Sequence, residues 1–428
     1  MDTYNYILAT IIIDGIYLWR LLSQKQYRMV LPSTTACLTW FIATLLMYSE
    51  LKGWISDTEL PEIRYREVAP FIFGMNLCAI ICFTLVHELR PRTYRSELIT
   101  SGETLEMCEK ILTQYRWILW VCVGAGLTLF IYFLSLGIKL TSFSDYRIMA
   151  LTVEKVGYAA LAKRIGGHIG VLGAFYLFIL GYKQAQTELD FKEFLKCILM
   201  YACVNLSVGG RAWLIASLLP YACGFFLGNS EGAETNRTEL KKLGMVFLIA
   251  ISSFSILGNL RSEASYQKSF LEKFLYYTDG PKMANLVLNT FPTGTYDLEY
   301  GQANFMSFIK TSEMTKSFNA SIKDDIGLSV TVRSTIPALY YDFGYTGGII
   351  MWGILCGLLE WICLNLRDKG TLFSLLLFSV CAIIPFQSPI GGVFVLAMPS
   401  FEWLFLLWIL RKYIFTNYIP KLIPYHTR

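Results

Sequence analysis

Apolar runs of about 17 to 20 residues recur along the whole chain, and each run is long enough as a helix to cross the hydrocarbon core of a membrane. Hydrophobic residues make up 54% of the chain and charged residues only 16%. Soluble domains carry roughly a quarter of their residues as charged side chains. The sequence therefore predicts an all-α polytopic membrane protein and argues against a soluble domain.

The apolar pattern predicts about eleven transmembrane helices and one large, partly helical loop. The predicted spans cover residues 4–19, 30–48, 68–86, 117–137, 166–182, 194–208, 212–228, 243–258, 346–365, 371–386 and 393–410. These limits divide the chain into a bundle of eight spans at 1–258, a large loop at 259–345, three further spans at 346–410 and a tail at 411–428.

Lysines and arginines concentrate in alternate loops, which predicts the orientation because cytoplasmic loops carry the excess of positive charge. On this count the N-terminus and the large loop lie outside, and the C-terminus is cytoplasmic. The net charge of +5 fits such an asymmetry better than nucleic-acid binding. The cysteines lie mostly inside apolar runs, which indicates neither a metal site nor a disulfide framework.

Three arginines stand next to predicted spans on the outer side. Arg211 follows two glycines in SVGGRAWLI, Arg261 follows the eighth span, and Arg333 precedes the ninth. A guanidinium group binds phosphate oxygens through two parallel hydrogen bonds and stays charged. The alternative is that each arginine only anchors a span at the lipid headgroups. Arg147, in an earlier outer loop, allows the same two interpretations.

The large loop is dense in aromatic residues and carries several carboxylates near the arginines. It also contains turn signals, at Asp279-Gly280-Pro281, at Pro292-Thr293-Gly294 and at Gly327. Aromatic faces suit both sugar rings and headgroup anchoring. Its candidate ligand and catalytic residues are Glu263, Tyr277, Asp279, Tyr340, Tyr341, Asp342 and Gly344. Asp342 is either a catalytic carboxylate or the N-terminal cap of the ninth span.

Three segments carry a resemblance to a known family. They are GGRAWLI at the start of a span, FLYYTDGPKMANLVL after Arg261, and RSTIPALYYDFGYTGGII from Arg333 into the ninth span. With the overall layout, they resemble the bacterial O-antigen polymerases, the Wzy-type oligosaccharide repeat-unit polymerases. Ten residues separate Arg333 from Gly344, which resembles an Arg–Gly pattern in the family's outer loops. Arg147 departs from that pattern, because only nine residues separate it from Gly157.

The resemblance implies a glycosyltransferase of the bacterial inner membrane. Such an enzyme joins oligosaccharide repeat units carried on undecaprenyl pyrophosphate into O-antigen or a related surface polysaccharide at the periplasmic face. Its partners would be this lipid-linked oligosaccharide, membrane lipid, a chain-length regulator and a flippase. No nucleic acid, metal or other cofactor is expected.

Within that reaction, we expect Arg211, Arg261 and Arg333 to stabilise the leaving pyrophosphate, since preorganised positive charge acts best on a developing anion. Glu263 and Asp342 are the candidate bases. The expected substrate-binding residues are Arg147, Tyr277, Asp279, Tyr340, Tyr341 and Gly344.

Two other activities fit the same layout, as does a structural partner within an envelope-assembly complex that has no chemistry of its own. An O-antigen ligase is expected to carry a histidine in its large outer loop, and residues 259–345 contain none. A transporter of polysaccharide or lipid-linked oligosaccharide would favour internal repeats and charged residues deep in several spans.

Overall fold

The structure is a computed structural model, and it describes most of the predicted helical segments. The described residues are 2–23, 30–55, 65–90, 102–135, 158–187, 190–206, 212–228, 276–292, 294–298, 300, 334–369, 372–389 and 400–409. Every regular element within these ranges is helical, and no strand occurs in them.

The helices are numbered in chain order. They are α1 Thr3–Leu22, α2 Pro32–Leu51, α3 Val68–Leu89, α4 Gly102–Gln114, α5 Trp117–Ser135, α6 Tyr158–Gln186, α7 Phe191–Leu206, α8 Ala212–Gly228, α9 Tyr276–Thr290, α10 Thr335–Lys369, α11 Leu372–Ile383 and α12 Ser400–Ile409. A 3₁₀ segment, Ile384–Gln387, continues α11.

The helices agree with the predicted spans in position. A helix overlaps each predicted span except 243–258, which lies outside the described residues. Four stretches are long and apolar enough to cross a membrane, and they are Thr3–Leu22, Val68–Leu89, Leu105–Tyr132 and Thr335–Arg367. The third stretch covers parts of α4 and α5. The all-helical class is confirmed for the described residues, with four candidate membrane spans, whereas the total of eleven spans stays a prediction.

The chain forms two compact units. Unit 1 comprises residues 1–95, 268–368 and 380–398, and unit 2 comprises residues 96–267, 369–379 and 399–428. Unit 1 therefore contains α1, α2, α3, α9 and nearly all of α10. Unit 2 contains α4 to α8 and α12.

In unit 1, glycines allow α10 to approach α3 closely. Gly353 and Gly357 are one helical turn apart on α10. A Cβ atom on Gly353 would lie 3.1 Å from the Cβ of Cys78, and one on Gly357 would lie 3.0 Å from the Cβ of Cys82. Small residues four positions apart favour such contacts between membrane helices. A larger side chain at either glycine would separate α3 from α10.

In unit 2, the same spacing joins α8 to α6. Gly224 and Gly228 lie on α8. A Cβ atom on Gly224 would lie 3.0 Å from the backbone nitrogen of Tyr182, and one on Gly228 would lie 2.9 Å from the Cβ of Ala185. The hydroxyl of Tyr221 donates a hydrogen bond to Oε1 of Gln184 across the same interface, at 2.6 Å. Close backbone contact and one buried polar pair therefore hold these two helices together.

The ninth span was expected to begin at 346, and a helix does follow directly after the kink at Gly344, where φ is 69° and ψ is −172°. A further helical segment of α10, from Thr335, precedes the kink, and Asp342 lies in that segment, two residues before Gly344. The turn predicted at Asp279-Gly280-Pro281 is wrong, because these residues lie inside α9. Local turn composition is overridden there by the packing of α9.

Candidate functional site

Helix α9 is attached to the ends of α2 and α3 by a buried ion pair. Nζ of Lys282 lies 2.7 Å from Oε1 of Glu50, with the lysine side chain 0% exposed and the glutamate side chain 13% exposed. The hydroxyl of Tyr65 donates a 2.5 Å hydrogen bond to the other carboxylate oxygen of Glu50. A buried lysine needs such a partner, because burial of an unpaired ammonium group is costly. The pair therefore fixes where α9 lies on this end of unit 1, hereafter the α9 end.

Asn285 makes a second polar attachment one turn further along α9. Its Oδ1 accepts hydrogen bonds from the backbone N–H groups of Glu67 at 2.9 Å and Val68 at 3.1 Å. The first N–H groups of a helix have no partner within the helix. Asn285 therefore acts as the N-terminal cap of α3, although it belongs to a distant part of the sequence.

The first turns of α9 lie against the start of α10. A Cβ atom on Gly280 would overlap the carbonyl oxygen of Pro389 and would lie 3.1 Å from the Cβ of Ser334. The backbone N–H of Thr335 donates to the carbonyl of Ser388 at 2.8 Å. Glycine at 280 is thus required for this contact. Asp279, its neighbour in α9, is half-buried.

Four aromatic rings pack together where α9 ends and α10 begins. The ring of Tyr296 lies 5.4 Å from that of Tyr340 and 6.2 Å from that of Tyr341, and Phe291 lies 6.4 Å from Tyr341. The hydroxyl of Tyr340 donates to the carbonyl of Phe291 at 2.6 Å, and the hydroxyl of Tyr296 donates to the carbonyl of Tyr340 at 2.6 Å. Both hydrogen bonds hold the loop after α9 against α10.

Asp342 and Gly344 extend this aromatic cluster towards the bend in α10. Asp342 is fully buried, and its carbonyl accepts the N–H of Tyr300 at 3.2 Å. Gly344 has a positive φ of 69°, which glycine adopts without the strain that a Cβ atom adds. Leu298 lies beside it, with Cδ2 at 3.6 Å from the position of a Cβ. The turn predicted around Gly294 is present, since the N–H of Thr295 donates to the carbonyl of Pro292.

The structure brings part of the predicted site together. Asp279, Tyr340, Tyr341, Asp342 and Gly344 all lie at the α9 end, and Tyr277 lies in the first turn of α9. The other predicted site residues, which lie outside the described residues, are Arg147, Arg211, Arg261, Glu263 and Arg333. The expectation that three arginines meet at a pyrophosphate therefore stays a prediction.

Three residues of the α9 end, Lys282, Glu50 and Asn285, were not predicted from the sequence. The sequence did contain one signal for the two residues on α9. Lys282 precedes the apolar run MANLVL and Asn285 interrupts it, and polar residues on a buried face need partners. Their partners are distant in sequence and carry no local signal.

The described residues hold no group of three histidine, cysteine or acidic side chains suited to a metal ion. The chain was also compared with protein-family models, with curated proteins and with solved structures, and it matches none of them.

Proposed function

We propose that this protein is a polysaccharide polymerase that joins oligosaccharide repeat units carried on undecaprenyl pyrophosphate at the outer face of a bacterial inner membrane. The proposal rests on the two large-loop segments that resemble O-antigen polymerases and on the apolar helices that are long enough to cross a membrane.

One observation carries the proposal. The two resembling segments, residues 274–288 and 333–350, are 44 residues apart in sequence, yet they pack on each other at the α9 end, where Gly280 lies against Ser334. Just after the first segment, the carbonyl of Phe291 accepts the hydrogen bond from the hydroxyl of Tyr340. Residues that act on one substrate must lie at one place, whatever their distance in sequence. The contact therefore supports a single site built from both segments.

The reaction has a simple balance of bonds. A hydroxyl oxygen of the incoming unit forms a bond to the anomeric carbon of the growing chain, and the bond from that carbon to the pyrophosphate oxygen breaks. A carboxylate accepts the hydroxyl proton, and we assign this role to Asp342 or Glu263. The leaving pyrophosphate gains negative charge, which Arg211, Arg261 and Arg333 stabilise.

The buried aromatic rings form one rigid side of the proposed site. Tyr340 is 1% exposed and its hydroxyl is engaged with a backbone carbonyl. Its contribution in this proposal is to hold the peptide on which Asp342 stands, since a catalytic group acts only from a fixed position.

Deletion of the gene, followed by electrophoresis of the surface polysaccharide, tests the activity. Loss of a polymerase leaves the lipid core carrying a single repeat unit. Loss of a ligase or a flippase leaves no unit attached. An unchanged ladder of long chains contradicts the proposal.

Substitutions in the restored gene test the residues. Arg211→Ala, Arg261→Ala and Arg333→Ala should each abolish long chains while the protein stays in the membrane. Arg66→Ala is the matched control, because Arg66 lies at the α9 end with its side chain 85% exposed. Asp342→Asn tests the base. Long chains in all three arginine variants would refute the assignment.

A further inference from the structure

A second polar cluster lies at the opposite end of unit 1 from α9. The carboxylate of Glu360, on α10, accepts hydrogen bonds from the backbone N–H and the hydroxyl of Ser33, each at 2.9 Å. Nε2 of His87, on α3, lies 2.8 Å from the same carboxylate. The Glu360 side chain is 0% exposed and that of His87 is 20% exposed. A buried acid is thus joined to a side chain that reaches the surface of the unit.

Asp14 is a different kind of buried acid. It lies within α1 and is 0% exposed, and neither carboxylate oxygen has a hydrogen-bond partner in the structure described. An ionised carboxylate without donors is very costly in an apolar interior, whereas the neutral acid is tolerated. Acids inside membrane-spanning segments commonly mark ion or proton sites.

Both acids lie against α2, on which Ser33, Cys37 and Phe41 follow one another at intervals of one helical turn. Ser33 binds the carboxylate of Glu360, and a Cβ atom on Gly15, the residue after Asp14, would lie 3.3 Å from the ring of Phe41. The titratable groups near the acids on the surrounding helices are Tyr17 on α1, Cys37 on α2, His87 on α3 and Cys356 on α10. Arg20 is a charged neighbour of Tyr17. The acids therefore belong to one polar interior and are not two isolated features.

We propose that the interior formed by α1, α2, α3 and α10 is a proton-binding site. Asp14 holds the proton as a neutral carboxylic acid. Glu360 and His87 form the end of the path along which this proton exchanges with water at the surface of the unit. The site is independent of the polymerase activity proposed above and lies at the other end of unit 1.

Infrared spectroscopy of the full-length protein in lipid nanodiscs tests the bound proton. The wild-type protein at neutral pH should show the C=O stretching band of a protonated carboxyl group that makes no hydrogen bond. Asp14→Asn should lose this band. Glu402→Gln should keep it, because Glu402 is an exposed acid on α12. Absence of the band from the wild-type protein overturns the proposal.

Exchange into heavy water tests the route. The band moves to lower frequency when deuterium replaces the proton. The rate of this exchange should be several-fold lower in Glu360→Gln and in His87→Gln than in the wild type. Two variants are used so that one remains informative if the other fails to fold, as judged by gel filtration. An unchanged rate in both folded variants, or in the folded one alone, refutes the route through Glu360 and His87.

Discussion

Substitution of Lys282 by methionine should strongly destabilise the attachment of α9. Methionine fills a similar volume but leaves the Glu50 carboxylate without its cation, in a position where it is 13% exposed. Removal of one partner of a buried ion pair costs about 3–5 kcal/mol. Because Glu50 retains some exposure and the hydrogen bond from Tyr65, we expect a cost near the lower end, about 3 kcal/mol. That corresponds to a decrease of roughly two powers of ten in the equilibrium constant.

The measurement is unfolding in mixed micelles of detergent and SDS, followed by tryptophan fluorescence. A second substitution, Glu50→Gln, removes the orphaned charge and keeps a group that can accept the hydrogen bond from Tyr65. The double variant Lys282→Met/Glu50→Gln should therefore be more stable than Lys282→Met alone. This recovery is the signature of a coupled pair in a double-mutant cycle.

A matched control comes from the ion pair between Lys110 and Glu106. Its N–O distance is also 2.7 Å, but its side chains are 66% and 67% exposed. Lys110→Met should leave stability unchanged, because exposed ion pairs contribute little. Two results would contradict this role of the buried pair in holding α9 in place. One is an equal loss of stability in Lys282→Met and Lys110→Met. The other is a double variant whose loss of stability equals the sum of the losses in Lys282→Met and Glu50→Gln.

Three further substitutions test the contacts of the α9 end. Gly280→Ala should displace α9 from the start of α10 and abolish long polysaccharide chains. The control Gly124→Ala, whose new Cβ meets no atom within 4 Å, should leave stability unchanged or raise it slightly. Thermal unfolding and the surface-polysaccharide ladder check both variants. Asn285→Ala should lower stability by about 1 kcal/mol because α3 loses its cap, and equal stability of Asn285→Ala and the exposed control Asn289→Ala would contradict the capping role. Tyr340→Phe should cost about 0.5–1.5 kcal/mol through one lost hydrogen bond, with protein levels in the membrane unchanged, and an unaltered unfolding midpoint would argue against that bond.

The helices were predictable because lipid leaves the backbone few options. A spanning segment must satisfy its N–H and C=O groups internally, so a long apolar run predicts a helix wherever it occurs. The bounds of α1, α3 and α5 lie close to the predicted spans for this reason. The helical segment of α10 from Thr335 to Phe343 was not predicted, since its polar and aromatic residues gave no apolar signal.

The site was less predictable because its contacts join residues that are far apart in sequence. The tyrosines and Asp342 were recognised from their local pattern, but the partners of Lys282 and Asn285 lie on α2 and α3. Nothing in the local sequence of α9 identifies Glu50 as the counter-ion. The glycine at 280 was taken as a turn signal, whereas it makes room for a neighbouring carbonyl.

The bend at Gly344 allows the N-terminal part of α10 to rotate as one rigid segment about this residue. Nine residues, from Thr335 to Phe343, precede the bend, and at 1.5 Å of rise per residue they form an arm of about 13 Å. A rotation of about 20° in the backbone at Gly344 would move the tip of that arm by roughly 5 Å, which exceeds the reach of any hydrogen bond made there. The alignment of the two resembling segments is therefore set by the dihedral angles of one residue as well as by the contacts at the tip.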